Sequence, residues 1–197
     1  LGTLRRHRLD DNTIVILTSD NGGLSTSPGS PTSNLPLRAG KGWLYEGGIR
    51  VPAIVKWPAV VEPGTTCSVP VTSVDFYPTM LEMASLEKPS QQNFDGVSLV
   101  TLLKGSNLER GPVYWHYPHY GNQGGAPSAA VRSGKWKLIR WYEDDSQELY
   151  DLENDIGEKN NLIDDHPDIA ERLAGDLDRW LVKVGANMPK PNPNYKN

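Results

Sequence analysis

The sequence predicts an α/β fold, a strand-and-helix core portion followed by a small four-stranded antiparallel sheet with a C-terminal helix. Three stretches carry that expectation. Thr13-Ile14-Val15-Ile16-Leu17-Thr18 runs through apolar and β-branched residues with no polar alternate, the pattern of a parallel strand buried on both faces. After Gly111, short β-rich runs are separated by Pro/Gly or acidic turns, which reads as an antiparallel meander. From Pro167 to Val184, apolar residues recur at spacings of three and four, the period of an amphipathic helix.

Taken in order, residues 1–9 read as the end of a helix running into a turn at Asp10-Asp11-Asn12. The buried strand follows, and Asp20 and Asn21 place two hard oxygen ligands at its carboxyl end before Gly22-Gly23 permit a sharp turn. Ligands of open α/β sheets bind at the carboxyl ends of strands, so this turn is the first candidate for chemistry. A parallel strand covered on both sides needs neighbours, yet the only other nearby run of that kind is residues 51–57. An N-terminal portion carrying most of the sheet is therefore expected outside this sequence.

Residues 24–48 turn to Ser, Thr, Pro and Gly, with Ser-Pro at 27–28 and 30–31, and read as a long functional loop. Lys41 is held between Gly40 and Gly42, where glycine flanks let the backbone approach a ligand and a lysine suits an anionic group. Arg50 is expected to brace the loop by pairing with Glu46. Residues 73–84 read as a short helix with Pro78 in its first turns, and 99–103 as one more turn ended by Gly105. The four strands of the meander fall at 113–117, 129–132, 136–142 and 148–152. Ile169, Leu173, Leu177, Trp180, Leu181 and Val184 form the apolar face of the last helix, and Asp164, Asp165 and Asp168 suit its N-terminus. The organisation expected is a core portion at 1–110, an antiparallel subdomain at 111–188, and a surface or poorly ordered tail at 189–197.

A chain of 197 residues with a net charge of −4 has ample material for a core and no basic footprint for nucleic acid. The single cysteine, Cys67, cannot close an internal disulfide and is expected to be a small, partly buried residue. No apolar run approaches the ~20 residues of a membrane span.

Several strings then occur in a fixed order. Ser19-Asp20-Asn21-Gly22-Gly23, Gly40-Lys41-Gly42, Glu46-Gly47-Gly48-Ile49-Arg50-Val51-Pro52, Asp75-Phe76-Tyr77-Pro78-Thr79, Asp95-Gly96-Val97-Ser98-Leu99, the run from Arg132 to Leu138, and Glu148-Leu149-Tyr150-Asp151-Leu152 together resemble the C-terminal half of the type I sulfatases. The resemblance implies an alkaline phosphatase-like α/β core, a calcium ion at the ends of its central strands, and a formylglycine nucleophile made from Cys or Ser. It assigns Asp20 and Asn21 as two of the calcium ligands. Lys41 matches the lysine that contacts the sulfate and steadies the leaving oxygen, a role both catalytic and substrate-binding.

The nucleophile motif C/S-x-P-x-R is absent. Only Asn34-Leu35-Pro36-Leu37-Arg38 has its spacing, with Asn where the nucleophile belongs, and the proline after Cys67 falls one place late. Formylglycine and the remaining calcium ligands are thus expected outside this chain, in the N-terminal half of the same protein, and the chain alone should be catalytically dead. His116 and His119, flanked by aromatic residues and followed by Gly121-Asn122-Gln123-Gly124-Gly125, are candidates for a substrate-binding pocket wall. A strand-end histidine satisfied by a neighbour is the simpler account of each.

The Trp, Tyr and His content of loops 24–48 and 117–128 favours a sulfated carbohydrate over an aryl sulfate. A periplasmic or secreted location is implied by the resemblance alone. The alternatives are a phosphodiesterase or phosphonate hydrolase of the same superfamily, or a non-catalytic binding module that keeps the fold. The absence of a histidine between Asp20 and Lys41 to serve a second metal argues against the first.

Overall fold

A computed structural model describes residues 1–26, 29, 32–190 and 192–194. The two Ser-Pro pairs of the long loop and the last three residues of the expected tail lie outside the described residues. In chain order the elements are helix α1 (Gly2–Arg6), strand β1 (Val15–Thr18), helix α2 (Glu46–Ile49), strand β2 (Ala53–Lys56), helices α3 (Phe76–Met83) and α4 (Val100–Leu103), strands β3 (Val113–Tyr117), β4 (Ser128–Ser133), β5 (Trp136–Trp141) and β6 (Gln147–Asp151), and helix α5 (Pro167–Lys183). They fall into two compact units, residues 1–18 with 52–111, and residues 19–51 with 112–197. The loop after β1 thus clusters with the meander, although the sequence reading grouped it with residues 1–110.

In the first unit β1 and β2 pair antiparallel, Val15 opposite Lys56 and Thr18 opposite Ala53. The pairing with β2 is antiparallel, and Leu17 is 54% and Ile54 62% exposed, so the parallel neighbours and the cover expected for β1 from outside this sequence are not supplied by the described residues. An unbroken apolar run records that two faces want cover; it carries no information on the direction of a neighbour. Further along, Asp75 closes a capping box with Thr72, and its Oδ2 accepts from Arg110 Nη1 at 2.5 Å. Pro78 is the third residue of α3, where the helix has no partner for its missing N–H. Gly105, at φ +77°, follows α4 in the left-handed conformation. Cys67 is exposed rather than partly buried.

The second unit is a three-layer arrangement around the sheet β3-β4-β5-β6, antiparallel throughout as the sequence predicts. Cross-strand neighbours share a face. On one side Ala129, Val131, Leu138 and Leu149 pack against Ala170, Leu173, Leu177 and Leu181 of α5, and Tyr114 stacks on Trp180 at 4.9 Å. Val184 lies beyond the end of α5 and is exposed, so it is not on the packed stripe. On the other side Ala130, Ile139, Tyr150 and Leu152 meet Leu44 and Tyr45. A loop with α2 at its end covers this face, where a second helix layer would sit in a larger sandwich.

Candidate functional site

The site is assembled by close approaches between glycine-rich backbones of the second unit. The Gly22 amide donates to the Gly48 carbonyl at 2.9 Å, and the Lys41 amide donates to the Gly23 carbonyl at 3.1 Å. A Cβ on Gly22 would fall 1.7 Å from the Gly47 oxygen, and one on Gly40 2.4 Å from the Gly23 oxygen. Side chains are excluded from both contacts, which is why glycines occupy them. Asn34 locks the same turn, accepting from the Gly23 amide and donating to the carbonyls of Gly23 and Ala39. The Asp20-Asn21 turn and the Lys41 loop are thereby brought together.

Asp20 is exposed, and Asn21 Nδ2 donates to its Oδ2 at 2.5 Å. Ser19 Oγ donates to the Asn21 carbonyl at 2.9 Å. That leaves the Asn21 carboxamide oxygen and the other Asp20 oxygen as adjacent hard donors, the kind calcium takes. Calcium requires roughly six to eight oxygens, so this pair fits part of such a site and not the whole. No group of three or more His, Cys, Asp or Glu capable of holding a metal occurs among the described residues. Lys41 is exposed, and its ammonium makes no ion pair among the described residues.

The two histidines part company. His119 is exposed and sits edge-on to Tyr117 at 5.3 Å, at the start of the segment leading to Gly121–Gly125. That segment returns to the Lys41 loop: Trp43 Nε1 donates to the Gln123 carbonyl at 3.0 Å, Thr26 Oγ1 to the same carbonyl at 2.9 Å, and a Cβ on Gly125 would lie 1.8 Å from the Gly42 oxygen. The 24–48 and 117–128 loops thus converge.

His116 lies in register with Ala129 and Arg140, on the face that α5 covers, opposite the loop carrying Lys41. Its Nε2 is 3.2 Å from the Asn187 carbonyl and its Nδ1 2.8 Å from the Tyr142 hydroxyl. A carbonyl only accepts, so in the neutral ring Nε2 carries the hydrogen and Nδ1 accepts from Tyr142. Burial pushes the Tyr142 phenol up to about 12, which keeps it a donor. Both nitrogens are spoken for, and the placement does not bring His116 to the Lys41 cluster.

Beneath the Lys41 loop lies a charged group that the sequence reading did not single out. Lys137 on β5 is 0% exposed, Glu46 2% and Glu158 0%. Lys137 Nζ donates to Glu46 Oε1 at 3.0 Å and to Glu158 Oε1 at 2.8 Å, while Glu158 Oε2 accepts from the Glu46 backbone amide at 2.6 Å. Arg50 and Arg132 approach Glu46 Oε2 at 3.4 and 3.7 Å, so the expected Glu46–Arg50 pair is one contact of a larger set. Burial alone would raise the Glu46 carboxyl; the charge and hydrogen bond of Lys137, with both arginines, hold it below its ordinary value. Glu158 stays above its ordinary value, because burial outweighs its attraction to Lys137. Arg38 joins the same anchor: its guanidinium lies 3.8 Å over the Tyr45 ring and donates to the Tyr150 hydroxyl and the Glu158 carbonyl. Nothing in a strand such as Trp136-Lys137-Leu138 marks its lysine as inward-facing, since lysines in strands are mostly exposed.

Comparison with known proteins places these features in context. Residues 39–184 match the family model for N-sulphoglucosamine sulphohydrolase, C-terminal. A sulfatase of Formosa agariphila is 38% identical over 192 residues, covering 89% of this chain and 34% of that protein. The crystal structure of Ps i-CgsB in complex with k-i-k-neocarrahexaose superposes with a TM-score of 0.78 at 31% identity, covering 91% of this chain and 38% of that one. A second structure, solved in complex with its substrate D-glucosamine-2-N,6-O-disulfate, gives a TM-score of 0.76 at 27% identity over 96% of this chain and 38% of that one. The chain therefore spans about a third of the length of these relatives.

Proposed function

The chain belongs to the sulfatase family, and on that premise we propose that it forms the C-terminal part of an enzyme hydrolysing a sulfate ester of a sugar. The observation that carries this reading is the backbone packing of Gly22 and Gly23 against Gly48 and Lys41, which gathers an oxygen pair and an exposed cation on one loop cluster. The sugar ligands of the two solved relatives support the substrate class. The aromatic loops around Trp43 and Tyr117 suit a carbohydrate ring.

In this reading Asp20 and Asn21 contribute two oxygens to a calcium site whose other ligands, with the formylglycine nucleophile, lie outside this chain. When bound, calcium supplies a Lewis acid for the sulfate group. Lys41 places its ammonium where negative charge grows on the sulfate and the departing oxygen. Its amide bond to Gly23 fixes the distance of its backbone from the Asp20-Asn21 turn. Pre-aimed charge of this kind accounts for about 10²–10³ in kcat per donor in measured oxyanion sites.

The test is sulfate release from sulfated mono- and oligosaccharides by the full-length protein, with and without calcium. We expect Lys41→Met to lower kcat by about 10²–10³ with the fold intact. Chelation should abolish turnover, and added calcium should restore it. A wild-type protein that binds sulfated sugars without releasing sulfate would establish a binding module instead.

A further inference from the structure

We propose that Lys137 is a positioning residue: sealed between Glu46 and Glu158, it fixes the loop of residues 38–48 on the meander and so sets the spacing between Lys41 and the Asp20-Asn21 pair. The inference rests on the sulfatase reading for what that spacing accomplishes, but its structural content stands on the contacts alone.

Two routes lead from the buried group to the site. The first runs through Glu46. Its amide donates to Glu158 Oε2 and its carboxylate accepts from Lys137, so both its backbone and its side chain are held from below. The next two residues are Gly47 and Gly48, on which Gly22 sits with no space for even a methyl group. A shift of Glu46 along the sheet normal is passed directly to Gly22 and to the Asp20-Asn21 turn beside it. The second route runs through Arg38, which grips the Glu158 carbonyl at 2.8 Å. Its own carbonyl accepts from the Gly47 amide at 2.8 Å, and three residues later the Lys41 amide meets the Gly23 carbonyl. Both ends of the loop therefore hang on Glu158, and Lys137 is the charge that holds Glu158 and Glu46 together.

The chemistry of the group argues for geometry over bulk stability. A buried ion pair is often no more stabilising than apolar side chains of the same volume, because desolvation offsets the attraction. What charges supply here is direction: an ammonium with three donors meets carboxylates at fixed angles, and the fourth carboxylate oxygen of the pair faces Arg50 and Arg132. The apolar contacts on this face, Leu44 and Tyr45 on Ile139 and Tyr150, cover the sheet without fixing direction; beside the Lys137 group, Tyr45 adds one directional bond to the sheet, from its hydroxyl to Glu148 Oε2 at 2.8 Å.

The experiment compares Lys137→Met with Leu181→Ala in the full-length protein. Leu181, on α5, packs against the face of the sheet opposite the Lys41 loop. Two readouts are taken. In hydrogen exchange, Lys137→Met should raise exchange of residues 19–24 and 36–50 by about tenfold while β3 and β4 stay protected, and Leu181→Ala should leave 19–24 unchanged. In kinetics, Lys137→Met should lower kcat by about 10²-fold, the cost of an ~1 Å misplacement, with KM little changed. Leu181→Ala should lower the melting temperature without that loss in kcat.

Should Lys137→Met fail to fold, Glu158→Gln makes the same prediction. Lys137 and the Glu46 amide donate to different oxygens of Glu158, and a carboxamide puts a donor NH2 in place of one of them, so one of the two bonds is lost in this geometry. The charge-balanced Lys137→Met/Glu158→Gln double variant then reports whether relieving the unpaired carboxylate restores the loop. Unchanged exchange at 19–24 in Lys137→Met or Glu158→Gln overturns the proposal, as does wild-type kcat. A wild-type protein without sulfatase activity sinks the functional reading instead, and the exchange data still decide the role of Lys137.

Discussion

Gly22 shows how little latitude the site allows at the scale of a residue. A single methyl group there would overlap the Gly47 carbonyl, so the Asp20-Asn21 turn and the Gly47-Gly48 turn are spaced by two backbones in contact. The two histidines show the opposite, that similar residues three apart can have unrelated roles. His119 stands at the segment that folds back on Gly42, whereas His116 is bonded on both nitrogens to Tyr142 and Asn187 across the sheet. His119→Ala should therefore raise KM for a sulfated sugar and leave the unfolding midpoint in urea unchanged. His116→Ala should leave KM alone and destabilise the fold by about 1 kcal/mol, since it removes the partner of a half-buried phenol. The reverse pattern would return His116 to the substrate site. Asp20, Asn21 and Lys41 stand out as candidates in the sequence because glycine neighbours and a strand end mark them. The side of the sheet on which His116 falls is not, because both faces of the meander are covered by apolar partners and alternation alone cannot tell helix side from loop side.

At the scale of elements, the meander and α5 follow directly from their patterns. β3 to β6 and α5 begin and end within two residues of where alternation and the helical period set them. The loop on the other face is different, because its contact with the sheet is made by charges that sequence reading expects on the surface. Those charges give it a pH dependence whose sign differs between the two carboxylates. Glu46 has a folded-state value below its unfolded one, so its contribution is present above the ordinary value of 4.5 and is lost as pH falls through the folded value. Glu158 has a raised value, so the folded state takes up its proton first, and its ionisation costs stability as pH rises from 4.5 through that raised value. Urea midpoints from pH 7 to pH 3 read both effects. The deficit of Glu46→Gln relative to wild type should shrink below pH 4.5, where wild type loses the ion pair. The deficit of Glu158→Gln should grow as pH is lowered from 7 towards 4.5, where wild type gains by protonation. Parallel curves for wild type and both variants would mean that neither carboxylate is coupled to folding.

At the scale of the whole molecule, the two units differ in how far each covers its own apolar surface. Among the described residues, the apolar clusters under α5 and under the Lys41 loop belong to the second unit. The first unit pairs two strands only and leaves Leu17 and Ile54 more than half exposed. A two-stranded pair is marginally stable in water, since it buries too little surface to offset the ordering of its backbone. The unbroken apolar run of β1, which led the sequence reading to expect cover on both faces, is thus a demand that the described residues do not meet. The matched part of this chain makes up only 34% and 38% of two of these relatives, and the proposal that it is the C-terminal part of such a protein supplies the missing cover. Hydrogen exchange on the 197-residue chain by itself and on the full-length protein tests this. In the chain alone, β4, β5 and α5 amides should be protected while β1 and β2 exchange at nearly the rate of open backbone. In the full-length protein β1 and β2 should slow by about 10²-fold or more, as expected for strands at the centre of a covered sheet, with β4 and β5 unaltered. Equal protection of β1 and β2 in both would show that the pair is stable as it stands, and that its exposed leucine and isoleucine await no further layer.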